Sequence, residues 1–137
     1  MSSRPAAFVL DSFALLACLA DETGRPRVEQ ILTGAARGAC RVSLSLINLG
    51  EVLYIVERAR GLAQARAALA AIEQLPIEIV PASRQAVLAA AHIKAHHALS
   101  CADAFAVAAA VERQATLVTG DPEFATVEGI VRVEWLS

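Results

Sequence analysis

The chain has 137 residues, a formal net charge of −2 and 56% hydrophobic residues, with one Trp, one Tyr and four Phe. That length suits one domain spanning residues 1–137, and a chain of this size buries roughly two thirds of its unfolded surface without a disulfide staple. The near-neutral charge excludes a non-specific basic nucleic-acid binder, and the few aromatics argue against a multi-ring stacking platform for single strands.

The elements follow in chain order. "AAFVL" (6–10) is a short apolar run ended by an acid and reads as a buried strand. "SFALLACLA" (12–20) is a helix, and "PRVEQILTGAARG" (26–38) is a second, with Pro26 near its start and Gly38 as its stop. "RVSLS" (41–45) is the second strand. Residues 47–61 and 62–75 form a helical hairpin that turns at Gly61. "IEIVP" (77–81) alternates as a third strand, and 83–98 is a helix capped by Ser83. "CADAFAVAAAVERQ" (101–114) is a helix, "TLVTG" (116–120) the fourth strand, and "IVRVEWL" (130–136) a fifth. Strands alternating with helices predict an α/β fold, a parallel sheet covered on both faces. Right-handed crossovers put the carboxyl ends of its strands on one edge, where ligands bind.

Cys18, Cys40 and Cys101 are odd in number and form no C-x-x-C. They predict neither a disulfide framework nor a zinc knuckle, and read as reduced thiols of a cytoplasmic protein. The apolar run between Asp11 and Asp21 is too short for a secretory leader, and no segment has the length and apolarity of a membrane span.

Four acids stand out. Asp11 ends the first strand and Asp121 follows the fourth, one residue past Gly120. Glu51 lies early in the helix after the second strand, and Asp103 in the first turn of the helix leading into the fourth. Each also fits an ordinary helix cap: Ser100-x-x-Asp103 is a capping box, Asn48-x-x-Glu51 resembles one, and Asp121-Pro122 suits an N-cap followed by proline. Taken together, four converging carboxylates with no Lys or Arg in their segments would repel one another. A hard divalent cation, Mg²⁺ or Mn²⁺, relieves that repulsion with oxygen ligands. Such a site suits phosphate chemistry. The hydroxyls of Ser12 and Thr119, which flank Asp11 and precede Asp121, are placed to orient a metal-bound water. A cap or strand-end hydrogen bond is the competing role, favoured for Ser12.

The ordered set "VLDSFALLA", "NLGEV", "CADAFAVAAA" and "LVTGDPEF" resembles the PIN-domain ribonucleases, specifically the VapC-like toxins of toxin–antitoxin pairs. The resemblance covers nearly the whole chain. It implies a PIN-like (Rossmann-like) sheet of about five strands and Mg²⁺- or Mn²⁺-dependent cleavage of RNA. It carries the metal and catalytic roles to Asp11, Glu51, Asp103 and Asp121, with Ser12 and Thr119 supporting. It further implies a homodimer silenced by a cognate antitoxin whose tail plugs the acidic site. Phe13 departs from the family, standing where a small hydroxyl residue is frequent, and so reshapes the mouth of the site.

A catalytically silent PIN-fold module that binds RNA or a partner is the alternative, and a phosphatase or a DNA nuclease would use the same acids. His92 and His96 share a helix face at zinc-binding spacing, but no third ligand accompanies them, so a polar face is favoured. Arg58, Arg60 and Arg66 read as a solvated face, with a phosphate or partner contact as the rival. Glu123 is either a neighbour of the metal or solvent-facing. The alanine-rich helices read as packing surfaces, one of which suits a partner helix in a groove.

Overall fold

The computed structural model describes residues 5–136. Five strands, β1 (Ala6–Leu10), β2 (Cys40–Ser45), β3 (Glu78–Val80), β4 (Thr116–Thr119) and β5 (Val133–Trp135), form one sheet in the order β3-β2-β1-β4-β5. Every neighbouring pair is parallel. The chain builds outward from β1 through β2 to β3, then returns to lay β4 on the other side of β1 and β5 beyond it. The order therefore reverses between β1 and β4. In open parallel sheets that reversal opens a crevice at the carboxyl ends of the strands.

Six helices cover the faces: α1 (Ser12–Leu19), α2 (Arg25–Ala36), α3 (Leu46–Arg60), α4 (Leu62–Glu73), α5 (Arg84–His96) and α6 (Cys101–Arg113). Successive strand side chains point to opposite faces. Val9 accordingly packs with Leu117, Phe124 and α6, while Leu10 packs with Leu15, Val28, Leu44, Val52 and Ile72 on the other side. Eight consecutive residues of α6, Asp103–Ala110, are buried. A helix buried on every side must be small as well as apolar, and its alanines let the sheet and α5 approach closely.

The predicted elements are all present, β1 with the bounds expected and the others with ends shifted by one to three residues. The third helix begins at Leu46, so Asn48 falls inside it and Ser45 is its N-cap, the Ser45 hydroxyl accepting from Ile47 N at 3.1 Å. The Asn48-x-x-Glu51 capping box therefore does not form, and Glu51 lies in the second turn. The expected turn at Gly61 joins α3 to α4 with φ of 90°, a conformation that favours glycine. The chain after β4 winds into a 3-10 turn, Pro122–Val127, with Asp121 as its N-cap and Pro122 at its first position, as the Asp121-Pro122 pair suggests.

Candidate metal centre at the carboxyl edge of the sheet

Asp11 leaves β1 at the reversal point. Its N–H reaches Val118 O of β4 at 3.4 Å, and its Oδ1 accepts from Ala14 N at 2.8 Å, capping α1. The cap fixes the carboxylate in a place where it is almost wholly buried. Its second oxygen, Oδ2, accepts a 2.5 Å hydrogen bond from the Thr119 hydroxyl, and Thr119 Oγ1 in turn accepts from Asp121 N at 3.0 Å. One threonine thus joins the acid after β1 to the acid after β4.

Asp121 caps the 3-10 turn by accepting from Glu123 N at 2.9 Å. That tight turn swings the Glu123 carboxylate back toward α6, where its Oε1 accepts from Ser100 N at 3.2 Å. Ser100 is the N-cap of α6, its hydroxyl accepting from Asp103 N at 3.2 Å. In a capping box the third-position acid bonds back to the N-cap N–H. Here Glu123 takes that N–H. Carboxylate oxygens of Asp103, Asp121 and Glu123 all lie within 4.8 Å of one another.

Asp11 and Glu51 do not join that trio at this spacing, but their charges act around it. Burial pushes the Asp11 carboxyl up to about 7 against the lowering hydrogen bonds from Thr119 and Ala14, and the Asp103 and Asp121 charges push it further the same way. Burial likewise pushes Asp103 up to about 6, with Glu123, Asp121 and Glu51 adding repulsion and the Ser100 hydroxyl opposing it. Among the described residues the ion pairs are Arg25–Asp21, Arg25–Glu29, Arg27–Glu134, Arg113–Glu78 and Arg113–Glu112, and none reaches these acids. A set of hard oxygen donors without a cationic side chain fits a divalent cation.

Asn48 holds the surrounding helices in place. Its Nδ2 donates to Ser12 Oγ at 3.1 Å and to Ala102 O at 3.2 Å, so the starts of α1, α3 and α6 are tied at one buried amide. Ser12 returns a bond from its hydroxyl to Asn48 O at 3.3 Å. The Ser12 hydroxyl is therefore engaged between helices, while that of Thr119 points at Asp11. Sequence reading weighed Asn48 as a cap and left Glu123 undecided. The only signal for Glu123 was an acid two residues beyond Asp121 across a proline.

The other groups singled out lie apart. The His92 and His96 rings meet edge to face at 4.9 Å on exposed α5, and among the described residues no third metal-ligating side chain joins them. Arg58 lies over the exposed Tyr54 ring at 5.2 Å near the C-terminal end of α3, and Arg60 and Arg66 are also exposed. Among the described residues no helix is long and apolar enough to cross a membrane.

The family model described as the PIN domain matches residues 8–130. No curated protein matches the sequence. The fold is similar to several solved structures. One is VapBC2 from Rickettsia felis bound to a DNA fragment from their promoter, with a TM-score of 0.75, 17% identity and coverage of 96% of this chain and 99% of that one. Another is VapBC-5 from Mycobacterium tuberculosis, a member of the VapBC family of toxin–antitoxin systems (TM-score 0.64, 24% identity, 96% and 98% covered). A third is VapC20 from the same organism, a Sarcin-Ricin loop cleaving toxin (TM-score 0.70, 19% identity, 93% and 98% covered).

Proposed function

Because this chain belongs to the PIN domain family, we propose that it is a metal-dependent endoribonuclease, the toxin of a toxin–antitoxin pair, acting as a single PIN domain in the cytoplasm. The observation that carries the reading is the meeting of the Asp103, Asp121 and Glu123 carboxylates at the strand-order reversal, beside buried Asp11 and with no ion-pairing cationic side chain among the described residues. Asp11, Asp103 and Asp121 would hold the cation, with Glu123 beside Asp103 and Asp121 as a further oxygen donor, and Glu51 would contribute directly or through water. When bound, Mg²⁺ or Mn²⁺ supplies Lewis-acid stabilisation of the phosphoryl oxygens and a water of lowered pKa. The chain supplies the rest. Thr119 fixes the Asp11 carboxylate by its hydrogen bond. Asn48 and Ser12 keep the helix starts in register. The carboxylates orient the attacking water in line with the leaving oxygen and take up its proton.

RNA as substrate is favoured by the likeness to VapC20, described as cleaving the Sarcin-Ricin loop. An antitoxin partner is favoured by the likeness to the VapBC proteins. A hollow of about 520 Å³ between α1 and the α3–α4 hairpin, walled by Leu16, Leu19, Ile55 and Val56, suits an apolar helix of that partner. Exposed Val87 and Leu88 on α5 suit contact with a second copy in a homodimer.

The test is incubation of purified protein with RNA, DNA and a phosphomonoester, each with Mg²⁺, Mn²⁺ or chelator. Internal cleavage of RNA that needs the metal is expected. Cleavage undiminished by chelator would count against the metal, and a preference for DNA or the monoester against the substrate.

A further inference from the structure

We propose that Phe13 is a stacking platform for one RNA base, and so selects the nucleotide beside the scissile phosphate; this rests on the ribonuclease reading of the acidic site. Ser12, Ala14 and Leu15 around it in α1 are buried, whereas Phe13 is 40% exposed. The other phenylalanines pack into the two cores. The exposed ring is nonetheless held in place. It lies against Gly120, where an added Cβ would come within 2.3 Å of Phe13 Cε1 and 2.5 Å of Cζ. Gly120 does not occupy the left-handed region, so what a side chain there would meet is the ring, which would have to leave this position.

This contact fixes where the ring sits. Phe13 follows Asp11 by two residues and Gly120 directly precedes Asp121, so the ring closes the gap between the chain segments that carry the first and last acids. A phosphate held at those acids brings its attached nucleoside to the lip the ring forms. Base–aromatic stacking tolerates any base but differs in strength among them, so one ring confers affinity and a graded preference. The scarcity of aromatics rules out a platform of several rings, and one base needs only one. The ring also rims the apolar hollow beside α1, so a protein segment lying there is the competing occupant.

The binding test uses the chain carrying Asp103→Asn, so that RNA is not consumed, with Mn²⁺ at a concentration that saturates the weakened site. A labelled RNA decamer is compared with a decamer of the same ribose-phosphate backbone lacking bases. RNA should bind about tenfold tighter than the abasic strand. Adding Phe13→Ala should bring the ratio close to one, and Phe13→Trp should restore it. In the active background, Phe13→Ala should flatten the base preference at mapped cleavage sites while the thermal shift caused by Mn²⁺ stays at the parent value. An unchanged binding ratio or site pattern in Phe13→Ala overturns the proposal and leaves the ring to the protein partner. Loss of the Mn²⁺ shift in that variant also overturns it, since the ring would then only pack the metal site. Cleavage by the parent chain is read separately: its absence ends the ribonuclease reading, whereas the ratio decides the role of the ring.

Discussion

Asp11 and Asp103 lose their water when the chain folds, and among the described residues no cationic side chain pairs with them in exchange. Their charged forms are therefore costly until a cation arrives. Replacing Asp103 with Asn removes both a donor and a source of repulsion. Because lost metal-site partners typically cost about 10- to 100-fold, and a direct ligand at least that, Asp103→Asn should lower cleavage about 100-fold or more. The metal-free protein should melt no lower than the parent, and a variant that cuts RNA at the parent rate would remove Asp103 from the machinery. Thr119 offers a finer probe. Its hydroxyl hydrogen bond favours the ionised form of Asp11. Thr119→Val deletes that bond, so the Asp11 carboxyl should rise further and Mn²⁺ binding should need a higher pH. Thr119→Ser should return the binding midpoint to its parent position, which calorimetric titration at several pH values would measure.

At the scale of elements, the segment after β4 matters more than its length suggests. The 3-10 turn Pro122–Val127 positions both Asp121 and Glu123, and it is anchored by Phe124 and Val127, both fully buried. Phe124→Ala should cost about 3–5 kcal/mol by cavity formation, read from urea unfolding, and should weaken the Mn²⁺ response by loosening the two carboxylates. Parent stability in this variant would mean that the turn is not anchored through its ring. This turn was also the least legible part of the chain. The strands ending in Asp11 and before Asp121 could be read because continuous apolar runs stop at a carboxylate, and parallel topology then forces both ends to one edge. Asp103 depended on where residues 97–100 return, a long-range matter that periodicity does not carry; the structure fixes it through contacts such as His97 Nδ1 with Thr126 O at 3.2 Å. A six-residue 3-10 turn has no periodic signature, so Glu123 stayed undecided. Asn48 misled because Ser45 and Asn48 are both competent caps, and only the ladder of β2 decides where the strand stops. Phe13 was visible as an oddity, but its contact with Gly120 links residues far apart in sequence.

Across the whole molecule, proton and metal compete for the same carboxylates, and that competition sets how stability depends on pH. The Asp11 carboxyl moves from 3.8 to about 7 on folding and that of Asp103 from 3.8 to about 6. The folded state therefore binds protons more tightly than the unfolded chain. Their contribution is fully present below about pH 4 and is lost as pH rises toward 7. Without metal, the melting temperature should fall across that window, and Asp11→Asn should make the fall shallower because the larger of the two contributors can no longer ionise. A cation needs the ionised carboxylates, so its stabilisation must run the other way, small at pH 5 and large at pH 8. At 100 times its Kd a ligand adds about 2.7 kcal/mol, which for a domain of this size raises the melting temperature on the order of 10 °C. Thermal scans with and without Mn²⁺ from pH 5 to 8 should therefore diverge as the pH rises. Curves that stay parallel would mean that the cation binds away from Asp11 and Asp103.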